Sequence, residues 1–232
     1  MTLRIALFGA GGRMGRAIAD AARGHDDVAI VTGDADIFID FSAPAALAGN
    51  LDAAREAGKP IVIGTTGLDP AQHELIDGAA AVLPILHAAN MSLGVNLLAH
   101  LVRETAARLG PDWDVEIVEM HHRHKQDAPS GTGFLLGEAA AAGRGVDLAT
   151  ASQRGRDGIG ARTEGTIGFA ALRGGSVAGD HQVIFAGPGE RIELGHRAES
   201  RSIFAEGAIK AARWLSAKPP GRYTMTDVLG LE

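Results

Sequence analysis

Apolar runs alternate with helical segments through the first 90 or so residues of the chain. Four runs have the length and apolar character of buried strands, at residues 3–8, 28–31, 37–41 and 60–63. Three further segments have the composition and spacing of helices, at residues 16–23, 45–57 and 70–80. This alternation predicts an α/β fold, in which helices cover a parallel sheet.

A glycine-rich turn, Gly9-Ala-Gly-Gly-Arg-Met-Gly15, connects the first strand to the first helix. It matches the Gly-x-Gly-x-x-Gly motif of dinucleotide-binding folds, with one extra residue before the last glycine. The order strand, turn, helix favours a pyrophosphate site over a plain tight turn, because a helix N-terminus binds anions. Small polar loops at 64–67 and 87–92 follow later strands. We expect them to face the same cofactor, since ligands bind at the carboxyl ends of parallel strands.

The link between the second and third strands is unusually short, since it contains only Thr32 to Asp36. A crossover between parallel strands needs about a dozen residues and usually contains a helix. The second strand–helix unit of a doubly wound sheet is therefore missing or reduced. Asp34 follows the glycine turn by about 20 residues, the spacing of the acid that binds a ribose hydroxyl. A plain turn residue beside Gly33 is the alternative.

The pattern changes after a long predicted helix from Leu93 to Leu109. Val115 and Ile117 then alternate with polar residues, as in a strand with one buried face. Beyond Gly143, short apolar runs separated by glycine-containing turns predict antiparallel strands, at residues 166–172, 177–186 and 191–198. An amphipathic helix is predicted at 202–215.

Residues 119–133, with the sequence Glu-Met-His-His-Arg-His-Lys-Gln-Asp-Ala-Pro-Ser-Gly-Thr-Gly, hold three of the nine histidines. The histidines follow a predicted strand, and Ser130, Gly131 and Thr132 begin a predicted helix. Imidazole exchanges a proton near neutral pH, whereas a helix N-terminus holds a carboxylate or phosphate. Lys125 could add a positive charge or a second proton. The stretch is therefore a candidate active site.

Two alternatives remain open for this stretch from its residues alone. A solvated basic turn is the first, since charge runs usually lie on the surface. A zinc site that uses His122 and His124 is the second. The chain has no cysteine, and Glu119 and Asp127 are the nearby acids, so the sequence favours the absence of a metal.

Composition narrows the class of protein. The chain has 232 residues, 46% of them hydrophobic, which is enough for one large domain or two small ones. A net charge of −6 without long basic runs argues against nucleic acid and favours a small-molecule partner. No apolar run approaches the roughly 20 residues of a membrane span, and residues 1–20 lack the pattern of a signal peptide. With no cysteine, the chain fits a reducing compartment, so we expect a cytoplasmic protein without a membrane partner.

Five motifs in order resemble the 4-hydroxy-tetrahydrodipicolinate reductase family. They are the glycine turn at 9–15, Phe-Ile-Asp-Phe-Ser at 38–42, Ile-Gly-Thr-Thr-Gly at 63–67, Ala-Asn-x-Ser at 89–92 and Glu-x-His-His-Arg-His-Lys-x-Asp-Ala-Pro-Ser-Gly-Thr at 119–132. The resemblance extends from end to end of the chain. It implies a Rossmann-like nucleotide-binding domain at 1–91 and 200–232, shortened after the second strand. Residues 92–199 would form an α+β domain with an open mixed β-sheet that binds substrate and assembles a homotetramer.

The resemblance also implies an activity, which is reduction of the cyclic dicarboxylate 4-hydroxy-tetrahydrodipicolinate by NADH or NADPH in lysine and diaminopimelate biosynthesis. His121 matches the family's proton donor and acceptor, and Lys125 matches its lysine proton donor. His122, Gly131 and Thr132 match substrate-binding positions, and Ser130 belongs to the same anion-binding helix end. A cofactor-binding sensor without turnover is the alternative, and it would lack His121 or Lys125.

The matched cofactor positions lie in three loops. They are Gly9, Ala10, Gly11, Gly12, Arg13 and Met14 in the pyrophosphate loop, Gly64, Thr65 and Thr66 beside the nicotinamide, and Ala88, Ala89, Asn90 and Met91 in a further contact. Met91 stands where the family commonly has an aromatic residue. Asp34 and the arginines of the glycine turn leave the choice between NADH and NADPH open, and we expect weak discrimination.

Overall fold

The structure is a computed structural model that describes residues 2–231. Positions 1 and 232, which end the predicted nucleotide-binding domain, lie outside the described residues. The chain divides into two compact units. The first contains the described residues up to Leu93 together with those from Ser202 onward, and the second spans Gly94–Arg201.

The first unit is built on a parallel sheet, and its strands are numbered here in chain order. They are β1 (Leu3–Phe8), β2 (Val28–Val31), β3 (Ile37–Asp40), β4 (Ile61–Ile63), β5 (Pro84–His87) and β11 (Gly221–Tyr223). Their spatial order is β11-β5-β4-β3-β1-β2, and each neighbouring pair is parallel. The prediction of a parallel α/β sheet is confirmed. The carboxyl ends of these strands therefore share one edge.

Helices pack on this sheet. They are α1 (Arg13–Ala22), α2 (Leu47–Ala57), α3 (Pro70–Ala80), α7 (Ser202–Leu215) and α8 (Met225–Leu229), with a 3-10 turn at Pro44–Ala46. Asp69 and Gln72 form a capping box that fixes the start of α3. The small residues of α7, among them Ala205 and Ala208, are fully buried in one core with Ile5 and Ile37. The core of the first unit is thus shared between distant parts of the chain.

Ion pairs with Arg4 hold the short link between β2 and β3, where a helix would be expected. The link from Thr32 to Asp36 has no helix and joins two strands that lie on either side of β1. Arg4 of β1 donates its main-chain N–H to Asp36 at 2.9 Å and its guanidinium to the same carboxylate at 2.8 Å. It also pairs with Asp34. The side-chain and then the main-chain hydrogen bond from Arg4 lower the pKa of Asp36 to about 2. The prediction of a reduced second unit is confirmed.

The second unit contains a mixed sheet. Its strands are β6 (Asp114–His121), β7 (Ser152–Arg154), β8 (Ile167–Arg173), β9 (Asp180–Gly187) and β10 (Glu190–Arg197), in the spatial order β10-β9-β6-β8-β7. Strand β9 pairs antiparallel with β10, as expected from the turn between them, and it also pairs antiparallel with β6. The prediction of an antiparallel β8 is wrong, because β8 pairs parallel with β6. Residues 122–166, including two helices, provide the crossover that parallel neighbours need.

Helices α4 (Leu93–Leu109), α5 (Gly131–Arg144) and α6 (Leu148–Ala151) contribute to a core with one face of this sheet. Alternate residues of β6 are buried, beginning with Val115 and Ile117 in an apolar core with Phe185. The same alternation buries Glu119 and His121 at the end of the strand. The buried face therefore changes from apolar to charged where β6 meets the start of α5. No helix within residues 2–231 is long and apolar enough to cross a membrane.

Candidate active site

A buried carboxylate lies at the centre of the charged end of β6. The side chain of Glu119 is 1% exposed and forms a two-pronged ion pair with Arg173 of β8, with bonds of 2.9 and 2.8 Å. It also accepts the main-chain N–H of Ser130 at 3.1 Å. Burial opposes ionisation, but the bonds from Arg173 and His121 outweigh it and lower the pKa of Glu119. The carboxylate is therefore charged at neutral pH.

His121 lies against this carboxylate on the same face of β6. Its Nδ1 is 2.5 Å from Oε2 of Glu119. An ionised carboxylate only accepts hydrogen bonds, so Nδ1 is the donor in this bond and Nε2 takes no part in it. Gly179 is close to this second nitrogen, because a Cβ on Gly179 would lie 2.9 Å from Nε2. The imidazole is therefore held in one orientation at a crowded, largely buried position.

Ser130 caps α5 and connects the helix to a second histidine. Its Oγ accepts the main-chain N–H of Gly133 at 3.0 Å and lies 3.1 Å from Nε2 of His181 on β9. Burial, followed by the charge of His121, lowers the pKa of His181 to about 4. Neutral His181 can therefore accept the Ser130 hydroxyl hydrogen at Nε2, or donate to the hydroxyl oxygen in its other tautomer. Its ring meets that of His121 edge-on, with centroids 5.0 Å apart.

The start of α5 is a candidate anion site. Gly131 and Thr132 begin the helix directly after the N-cap Ser130, at the end where the helix dipole is positive. The prediction that the helix begins at Ser-Gly-Thr is confirmed. Basic residues lie shortly before this helix in the chain. In the turn after β6, the main-chain N–H of Lys125 donates to the His122 carbonyl at 3.1 Å.

Three basic side chains accompany this turn. Arg201 lies 3.0 Å from Nε2 of His122, and since guanidinium only donates, His122 accepts. Desolvation and then the Arg201 charge lower the pKa of His122. Lys125, 21% exposed, pairs with Asp127 at 2.8 Å. Its hydrogen bond is the main reason that the pKa of Asp127 is lowered. The cluster can bind the carboxylates of a small acidic molecule.

The geometry bears on both alternatives for the stretch at 119–133. His121 is 8% exposed, which a solvated basic turn does not explain. The Nε2 atom of His122 faces the Arg201 cation, an arrangement that a zinc ligand would not share. Within residues 2–231, no group of three acidic or histidine side chains is arranged to hold a metal ion.

The site contains four residues that the sequence did not indicate, namely Glu119 as a functional group, Arg173, His181 and Arg201. Glu119 could have been found, because it is two positions from His121 and so shares its face of a strand. Arg173 and His181 come from neighbouring strands. Their proximity depends on the pairing register, which places Arg173 beside His121 and His181 beside Glu119.

The first unit brings the predicted cofactor loops to one edge of its sheet. The loops at 9–14, 64–66 and 88–91 follow β1, β4 and β5, respectively. Gly9 has φ 83°, and a Cβ on it would lie 2.6 Å from the Phe41 carbonyl oxygen, so glycine is required there. A Cβ on Gly11 would meet no atom within 4 Å. The turn therefore leaves open space before α1, which fits a pyrophosphate.

The side chains of two predicted cofactor residues, Met91 and Asp34, are less favourably placed to contact a cofactor. The side chain of Met91 is 1% exposed and packs in the core of the first unit, so any contact with a cofactor would come from its main chain. Asp34 is 85% exposed, has φ 48° and is paired with Arg4. A ribose hydroxyl would have to share its carboxylate with that arginine.

Comparison with known proteins identifies the family. The profile described as dihydrodipicolinate reductase, C-terminus, matches residues 94–229, and the corresponding N-terminus profile matches residues 24–91. A 4-hydroxy-tetrahydrodipicolinate reductase of Zymomonas mobilis is 55% identical, over 99% of this chain and 98% of the relative. The chain belongs to the dihydrodipicolinate reductase family. A second member, from Parvibaculum lavamentivorans, is 62% identical over 86% of this chain and 74% of the relative.

A solved structure supports the dihydrodipicolinate reductase fold. The dipicolinate-bound dihydrodipicolinate reductase from Paenisporosarcina sp. TG-14 matches with a TM-score of 0.80 and 21% identity, over 98% of this chain and 99% of that one. A myo-inositol dehydrogenase from Corynebacterium glutamicum matches with a TM-score of 0.56 and 15% identity, over 95% and 90%. The first match has the higher TM-score. It supports a fold with a Rossmann-like parallel sheet and a second, mixed sheet.

Proposed function

We propose that this protein reduces 4-hydroxy-tetrahydrodipicolinate to tetrahydrodipicolinate with NADH or NADPH, as a step of lysine and diaminopimelate biosynthesis. One observation carries the proposal. His121, oriented by a buried carboxylate, shares the end of β6 with the anion-binding start of α5 and the Lys125 cation. Family membership and the names of the relatives support the same activity.

Different residues of the site would bind the substrate carboxylates and donate the proton. The start of α5, at Ser130 to Thr132, would bind one carboxylate of the substrate, and His122, Lys125 and Arg201 would bind the other. The reaction takes up one hydride and one proton and releases the substrate hydroxyl as water, so the site needs an acid. His121 and Lys125 are the donors in this proposal.

The cofactor has a matching place in the first unit. Gly9 to Met14 would hold the pyrophosphate against α1, and the loops at 64–66 and 88–91 would hold the nicotinamide end. When bound, the reduced nicotinamide supplies the hydride. The open space at Gly11 is the structural feature that supports this assignment.

The test follows nicotinamide absorbance with enzymically generated substrate. The parent chain should oxidise NADH or NADPH only when substrate is present. His121→Ala and Lys125→Ala should each lower kcat about 10²-fold or more, the usual scale of a lost general acid, and leave NADH affinity nearly unchanged. Cofactor binding without substrate-dependent oxidation in the parent chain would instead establish the sensor.

The proposal includes a cytoplasmic homotetramer assembled through the second sheet. The sheet face opposite α4 and α5 carries Leu172, 50% exposed, and a cavity of about 400 Å³ lined by Met120, Gln182 and Arg197 among others. Large apolar side chains exposed on a sheet face are a common feature of association sites. Sedimentation equilibrium should give four times the chain mass, and Leu172→Glu should dissociate the assembly. A monomeric parent chain would rule it out.

A further inference from the structure

The carboxylate of Glu119 is fully used inside the protein. Each of its oxygens accepts one Arg173 hydrogen bond, Oε2 also accepts His121, and Oε1 also accepts the main-chain N–H of Ser130. Four donors on two buried oxygens occupy the lone pairs of a carboxylate. Glu119 is therefore not a group that binds substrate, and any role it has in the reaction acts through its partners.

Among the partners of Glu119, His121 is the one that matters most for the proposed reaction. The titratable groups beside His121 are Glu119 on its own strand, Arg173 on β8, His181 on β9, and His122 on the turn that follows. Of these groups, Glu119 alone is negative. It is therefore the group that can accept a hydrogen bond from His121 as an anion.

The same carboxylate also contacts two parts of the site at once, the imidazole of His121 and the start of α5. Its Oε2 orients the proton-transfer imidazole, and its Oε1 holds the N-cap residue of α5. Arg173 keeps the carboxylate ionised and anchors it to β8. A carboxylate in this position sets the imidazole relative to the anion-binding helix end, and it does so from residues on the buried face of the sheet.

We propose that Glu119 is a positioning residue for proton transfer, which places the hydrogen of His121 on Nδ1 and leaves Nε2 as the exchanging nitrogen. This inference rests on the proposed function and names a further residue that the reaction needs. It also explains why a glutamate lies between Ile117 and His121 on the buried face of β6. A purely structural Glu119 would affect folding but not which nitrogen of His121 carries the hydrogen.

The test compares Glu119→Gln with Glu119→Asp in the whole protein. Glutamine keeps the size but has one acceptor oxygen and no charge, so kcat should fall about 10²-fold. The loss should lie in kcat rather than in the substrate KM, because Glu119 contacts the imidazole and not the substrate. Aspartate keeps the charge and two acceptor oxygens, so it should retain more of kcat than glutamine does.

A measurement without turnover separates this inference from the proposed function. Long-range ¹H–¹⁵N NMR of the parent chain should show neutral His121 protonated on Nδ1, and Glu119→Gln should lose that preference. Protonation on Nε2 in the parent chain would overturn the inference, even if Glu119→Gln does not fold. An unchanged kcat in folded Glu119→Gln would also overturn it. An inactive parent chain with the Nδ1 tautomer would instead remove the proposed function and leave the orientation by Glu119 intact.

Discussion

Burial of His181 should make the protein lose stability in mild acid. Its pKa in the folded chain is about 4, against an ordinary value of 6.5. Between these values the unfolded chain binds a proton that the folded chain does not, so the free energy of unfolding falls as the pH is lowered. The contribution is complete above pH 6.5 and is lost progressively toward pH 4. At about 1.4 kcal/mol per pKa unit, the total is about 3 kcal/mol.

The assay is urea unfolding at pH 7.5 and pH 4.5, followed by far-UV circular dichroism. His181→Gln removes the titrating group and retains an acceptor for the Ser130 hydroxyl, so its loss of stability over this range should be smaller by about 2 to 3 kcal/mol. His124→Gln, at an exposed position, is the matched control and should behave as the parent chain does. Burial also lowers the pKa of His87, His122 and His196, but these groups are present in every variant and cancel in the difference. Equal pH dependence in His181→Gln and the parent chain would refute the reasoning.

Two further predictions concern ligands. Thr132→Val should raise the substrate KM with little change in kcat, because the carboxylate contact at the start of α5 is present in both ground and transition states. Steady-state kinetics checks this, and a loss confined to kcat would contradict it. The values of kcat/KM for NADH and NADPH should lie within about tenfold, since Asp34 is exposed and paired with Arg4, and exposed charges contribute less than about 1 kcal/mol. A thousandfold preference at physiological salt would reveal a formed ribose or phosphate pocket.

Local signals gave the parts of the site that depend on neighbouring residues. Ser130 could be predicted as an N-cap because a small polar residue directly precedes a helical pattern, and α5 indeed begins at Gly131. The alternation in β6 likewise predicted its buried face. Each of these inferences uses residues within one turn or one strand of each other.

Contacts between strands could not be predicted in this way. The ion pair between Glu119 and Arg173 joins residues 54 positions apart, and it depends on a parallel pairing that turn patterns did not suggest. Short elements were also missed, because α6, β7, β11 and α8 have three to five residues each and show no clear period.

Met91 shows a different limit, one of motif matching. Its place in Ala-Asn-x-Ser suggested a cofactor contact, but α7 packs so closely that a Cβ on Gly207 would collide with the Met91 carbonyl oxygen. The side chain of Met91 is accordingly buried in the core beside that helix. A motif locates the loop, whereas the direction of each side chain depends on a helix more than 100 residues away in the chain.

The division of the first unit between distant parts of the chain has a consequence for synthesis on the ribosome. Strands β1 to β5 are made first, but the apolar surface that they present is covered by α7, whose residues are made after the whole second unit. Domains acquire their structure as they emerge, at about 5–20 residues per second. The continuous stretch Gly94–Arg201 can therefore complete its core while the part of the first core that α7 covers is still exposed. For roughly five to twenty seconds at these rates, that apolar surface is open to aggregation.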